Sequence, residues 1–80
     1  MITKQDAVES SHGQLFYHRY ARNADFTALR VRVTGRCKTW KTRVDEFRLP
    51  VKYGLYQSDA ITQDNVGDWF KTDPTQKGGE

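Results

Sequence analysis

Eight cations fall within 23 positions of this 80-residue chain: Arg30, Arg32, Arg36, Lys38, Lys41, Arg43, Arg48 and Lys52. Only Asp45 and Glu46 offset them, a balance of +6, while the remaining positions hold five basic and eight acidic side chains, a balance of −3. The formal charge of +3 therefore conceals a segregated distribution. Cations interleaved with apolar residues suit a polyanion, because neutralising backbone phosphates releases condensed counterions. Aromatics beside the cations would offer stacking surfaces to unpaired bases, and Trp40, Tyr53 and Tyr56 are the candidates. The candidate nucleic-acid-binding set is Arg30, Arg32, Lys38, Trp40, Lys41, Arg43, Arg48 and Lys52. Single-stranded DNA or RNA is the expected form, since no recognition helix for a major groove is evident. The plain alternative is that these cations line the solvent side of a half-buried sheet and guard it against edge pairing.

Other chemistry has less support. Cys37 is the only cysteine, so no internal disulfide is available, and no base is spaced to activate it. His12 and His18 make an acid–base pair only if the fold unites them, and they share no familiar metal-ligand spacing with Cys37. The glycines at 13, 35, 54 and 67 are isolated, which excludes a glycine-rich phosphate loop. A metal-free ribonuclease could draw on Arg, Lys, Tyr and His, but no spacing selects such a set. The expectation is a binding module that is not an enzyme, with no catalytic residues, no metal and no cofactor.

The elements that must position the cations read as strands. Ala28 to Val33 alternates strictly, with Leu29, Val31 and Val33 on one face and Arg30 and Arg32 on the other. Thr34-Gly35 reads as a hairpin turn, with 36–42 as the returning strand. A two-residue turn would pair Leu29 with Trp40 and bury the indole; a three-residue turn would pair Arg30 with Trp40 and expose it. Phe47 to Tyr53 alternates again, placing Phe47, Leu49, Val51 and Tyr53 opposite Arg48, Pro50 and Lys52. Proline cannot donate to a ladder, so this strand is expected at an edge, open to pairing with a second copy, or to carry a bulge. Residues 14–20 and 56–61 are further strand candidates. Thr3 and Asp6 suggest a capped helix over 3–11, and Val66, Trp69 and Phe70 form one stripe of a second helix running from Thr62 to Phe70.

The sum is a mainly β domain over 1–70, a small antiparallel sheet or an SH3- or OB-like barrel with short helical turns near both ends. Its expected core is Leu29, Val31, Val33, Phe47, Leu49, Val51, Ile61, Val66 and Trp69. Residues 71–80, KTDPTQKGGE, read as a disordered polar tail. No apolar run approaches the ~20 residues that span a bilayer, and Met1 to Ser11 lacks the pattern of a signal peptide, so a cytoplasmic, non-membrane protein is expected.

The stretch Gly35-Arg-Cys-Lys-Thr-Trp-Lys-Thr-Arg43, followed by Glu46-Phe-Arg-Leu-Pro-Val-Lys-Tyr-Gly-Leu55, resembles small uncharacterised proteins of tailed bacteriophages and prophages. The resemblance runs from about His12 to Trp69. It implies a phage accessory protein working in a bacterial cytoplasm and brings no known activity or site residues. It also opens a second reading, a protein-interaction module that binds and modulates a host protein, since Trp, Tyr and Arg are favoured interface anchors.

Overall fold

A computed structural model describes residues 1–55 and 57–75. The chain opens with one helix, α1 (Lys4–Val8), followed by β1 (Leu15–Arg22), β2 (Ala28–Val33), β3 (Lys38–Thr39), β4 (Phe47–Tyr53), β5 (Gln57–Thr62) and β6 (Trp69–Phe70). Among the described residues the strands form one antiparallel sheet. Of the two expected architectures the sheet is the one that forms, and it stays open.

The helix is set by its cap. The Asp6 N–H donates to the Thr3 hydroxyl, and the Asp6 carboxylate accepts from the Thr3 N–H at 2.9 Å, a reciprocal capping box. The helix stops three residues earlier than the composition of 3–11 suggests, and Gly13, at φ 89°, then turns the chain into the sheet. The Gly13 N–H donates to the Val33 carbonyl at 2.8 Å, so the turn itself starts the β1–β2 ladder.

The central hairpin differs from both expected registers. β2 does not pair with β3. Arg32 lies opposite Lys52 and Val33 opposite Val51, while Lys38 lies opposite Arg48 and Thr39 opposite Phe47. β5 pairs with β4 throughout, from Arg48↔Thr62 to Tyr53↔Gln57. Because β5 shares partners with both β2 and β3, these two must lie end to end along the other edge of β4. They are one long strand interrupted by a bulge, in which Thr34–Cys37 faces only Leu49–Pro50. The true hairpin turn is Trp40–Glu46, closed by the Glu46 N–H donating to the Arg43 carbonyl at 2.9 Å.

This bulge explains a proline in a central strand. The expectation that Phe47–Tyr53 is an edge, free to pair with a second copy, is overturned: β4 has neighbours on both sides. Pro50 turns its carbonyl toward β2, where it accepts from the Thr34 N–H at 3.0 Å. Its missing N–H therefore faces the bulge, where no regular partner waits. Gly35 lets the ring approach, since a Cβ there would meet the Pro50 Cγ at 3.0 Å. The Thr34-Gly35 pair thus serves close packing rather than chain reversal.

The sheet curls. Tyr53 on β4 and Trp69 on β6 have ring centroids 6.4 Å apart, although β2 and β1 lie between them in the strand order. Three inter-strand steps of a flat sheet would separate them by about 14 Å. The inner face so enclosed holds Phe16, Val31, Val33, Phe47, Leu49, Val51 and Ile61, all fully buried, with Ile2, Ala7 and Trp69 closing it. Each large side chain contributes roughly 1.5–3 kcal/mol by leaving water. Leu29 and Val66, expected in the core, are only half-buried. The expected final helix is a single 3-10 turn, Val66–Asp68, before β6. Gly67 weakens any longer helix, and the short strand beside β1 buries Trp69 instead.

β5 is an edge whose polar groups are taken by its own neighbourhood. The Ala60 N–H donates to the Asp59 carboxylate at 2.8 Å, and the Asn65 amide bonds both the Ala60 carbonyl and the Thr62 N–H. Asn65 thus imitates a partner strand and blocks edge pairing. Residues 71–75 lie beyond β6; Lys71 reaches Asp6 of α1 at 2.8 Å, and its cation holds the Asp6 carboxyl below the usual range. Residues 76–80 of the expected tail, and Tyr56 of the expected strand and stacking set, lie outside the described residues.

Candidate functional site

Period-two alternation puts the cations on the outer face, because Val31, Val33, Phe47, Leu49 and Val51 are buried on the inner one. β2 contributes Arg30 and Arg32, and β4 contributes Arg48 and Lys52. Residues directly opposite across a ladder share a face. Arg32 therefore stands beside Lys52, and Lys38 beside Arg48. The two like-charged pairs are four residues apart along β4, about 13 Å at strand rise. Among the described residues, none of these five cations forms an ion pair; the pairs present are Arg43–Glu46 and Lys71–Asp6.

Lys41 and Arg43 are displaced from this face. Both lie in the Trp40–Glu46 turn, and Arg43 is bound to Glu46 at 3.2 Å. Trp40 is half-buried at the start of that turn and outside the core cluster, so neither expected register describes it. Tyr53 is corrected: it points to the inner face, toward Trp69 and Asp59, and is not a stacking surface for the cations. Burial, and then the hydrogen bond to Asp59, push its hydroxyl up to about 12.

The aromatics that do share the outer face are Tyr17 and Phe70, the latter expected on a helical stripe and found on β6 instead. Tyr17 lies opposite Arg30 on one side and Phe70 on the other, giving a row Phe70–Tyr17–Arg30; Leu15 lies opposite Arg32. Tyr17 and Phe70 are half-buried. Residues 14–20 carry apolar groups at both parities, so only the burial of Phe16 decides that Leu15 and Tyr17 face outward.

His18 has a structural task. Its Nδ1 accepts from the Tyr20 and Ala21 N–H groups at 3.0 and 2.9 Å, fixing the irregularity in β1, and its ring meets Trp69 edge-on at 4.9 Å. His12 lies exposed in the turn before β1. The Cys37 thiol is pushed up by burial, the reverse of what a thiolate nucleophile requires. Among the described residues no group of three His, Cys, Asp or Glu side chains is placed to hold a metal, and no helix is long and apolar enough to cross a membrane.

With this geometry in hand, comparison with known proteins adds no relative: no family model, curated protein or solved structure matches the chain.

Proposed function

We propose that the protein is a small non-catalytic module that binds single-stranded nucleic acid on its outer sheet face, as a phage accessory protein in a bacterial cytoplasm. The observation that carries the binding reading is the pairing of like charges, Arg32 with Lys52 and Lys38 with Arg48, with no ion-pair partner for them among the described residues. Opposed like charges weaken a sheet. A polyanion laid along β4 turns that repulsion into attraction at two positions about 13 Å apart. Tyr17 and Phe70, beside Arg30, supply partly exposed ring surface for bases. The phage part rests on the resemblance of residues 35–43 and 46–55 alone.

The test is fluorescence anisotropy with labelled single-stranded DNA, RNA and duplex DNA across a salt series. Four to five phosphate contacts give a slope of about −3 in log K against log salt. Arg32→Glu and Arg48→Glu each weaken binding without unfolding the domain. Absent or salt-insensitive binding refutes the proposal.

A second reading, a module that docks on a host protein, is favoured by Phe26. This residue is 84% exposed at the tip of the β1–β2 hairpin, with φ of 68°. A bulky side chain in the left-handed region is costly; the Phe26 N–H donates to the Asn23 carbonyl at 3.0 Å and holds the turn, while the ring is left largely in solvent. Recovery of one defined protein from nuclease-treated lysate, lost on Phe26→Ser, would establish this reading over the first.

A further inference from the structure

The outer face contains one concavity whose lining is cationic and free of acids. Arg30, Arg32 and Lys52 line it together with Leu15, Gly54 and Leu55, around a volume of about 90 Å³. The sheet creates it. Arg30 and Arg32 are alternate residues of β2, Lys52 stands opposite Arg32, and the chain reverses after β4 at Gly54, whose φ of 59° carries Leu55 past the end of the strand. Leu55, 74% exposed, and Leu15 complete the lining with apolar side chains. The neighbouring cavity on the other side of Arg30 is unlike it: Asp25 and Asp73 line that one, and their carboxylates repel anions.

We propose that this concavity seats the terminal phosphate of a nucleic-acid strand, a phosphomonoester dianion. The inference rests on the nucleic-acid reading and sharpens it. Arg32 and Lys52, with Arg30 shared between this lining and the side facing Asp73, match a dianion better than the single charge of an internal diester, and guanidinium forks suit the several oxygens of a terminal phosphate. The Lys38–Arg48 pair, farther along β4, then meets internal phosphates of the same strand.

The experiment compares a 5′-phosphorylated hexathymidylate with the same strand bearing a 5′-hydroxyl, and uses inorganic phosphate as a separate probe. The phosphorylated strand is expected to bind about tenfold tighter. Lys52→Gln and Arg32→Gln each erase that difference, whereas Arg48→Gln weakens both strands alike. In ¹H–¹⁵N spectra, inorganic phosphate shifts the Arg32, Lys52 and Leu55 amides saturably, beyond sodium chloride at matched ionic strength, and Lys52→Gln abolishes the effect. Equal affinity for the two strands overturns the seat and leaves the nucleic-acid reading standing. Saturable phosphate shifts with no binding of either strand overturn the proposal together with the nucleic-acid reading and leave a seat for free phosphate alone. Shifts no different from chloride, with no preference between strands, overturn it outright.

Discussion

Removing the Lys52 charge should make this domain more stable and less able to bind. Lys52 stands directly opposite Arg32 on the outer face, and no acid pairs with either among the described residues. Two unit charges about 6 Å apart in water repel by about 0.7 kcal/mol, and opposed like charges in sheets cost ~0.2–1 kcal/mol. Lys52→Gln keeps the aliphatic stem and the strand geometry, so the expected gain is about 0.5 kcal/mol at low ionic strength. For a domain of this size that raises Tm by roughly 2–4 °C. At about 1 M salt the Debye length falls to about 3 Å and the gain should vanish. Urea unfolding followed by the fluorescence of buried Trp69 measures this at both salts. Arg43→Gln is the control: it removes the same charge from a residue bonded to Glu46 at 3.2 Å, and should not stabilise. In the same variants, affinity for single-stranded nucleic acid should fall with Lys52→Gln. A destabilised Lys52→Gln, or a gain that survives high salt, would show that the ammonium packs structurally and would sink the electrostatic argument.

Three further outcomes can be checked. Gly35→Ala should destabilise by about 1–3 kcal/mol, because its Cβ would lie 3.0 Å from the Pro50 Cγ; Gly35→Ala with Pro50→Ala should recover part of the loss, and additive losses in urea unfolding would contradict the contact. Phe26→Gly should stabilise by about 1 kcal/mol by relieving the left-handed strain at a side chain that contacts little, and loss of stability would mean the ring packs somewhere in solution. Tyr53 should titrate near pH 12 in ultraviolet absorbance. Its folded-state pKa lies above the unfolded value of about 10, so its contribution is intact below that pH and is lost as pH rises toward 12. Asp59→Asn should bring the titration down, and an unmoved titration would leave burial as the whole cause.

Much of the site's composition was legible in the chain, and its arrangement was not. The alternation in 28–33 and 47–53 placed Arg30, Arg32, Arg48 and Lys52 on one side and Val31, Val33, Phe47, Leu49 and Val51 on the other, as the structure has them. Leu15 to Tyr17 carries apolar groups at both parities and so gives Tyr17 no face, and the spacing of Phe70 suits a helical stripe rather than a place on the sheet; Tyr53 alternates with Phe47, Leu49 and Val51 and takes their face, so nearness to the cations along the chain does not make it a stacking surface. A turn at Thr34-Gly35 would bring Lys41 and Arg43 beside the cationic face. With the turn at Trp40–Glu46, they leave the sheet.

Side-chain alternation is local: a strand's pleat sends neighbours to opposite faces whatever it pairs with, so residues 28–33 and 47–53 determine their own inside and outside. Pairing is a choice among distant segments. Thr34-Gly35 is equally good as a turn or as the gap that receives a proline, and only the presence of Pro50 across the sheet, with its ring 3.0 Å from where a Cβ would stand, decides between them. The same holds for Val66, Trp69 and Phe70. Their spacing suits a helix, but β1 offers Trp69 an edge to pair with and a curled inner face to fill, and burying that indole outweighs a short helix broken by glycine.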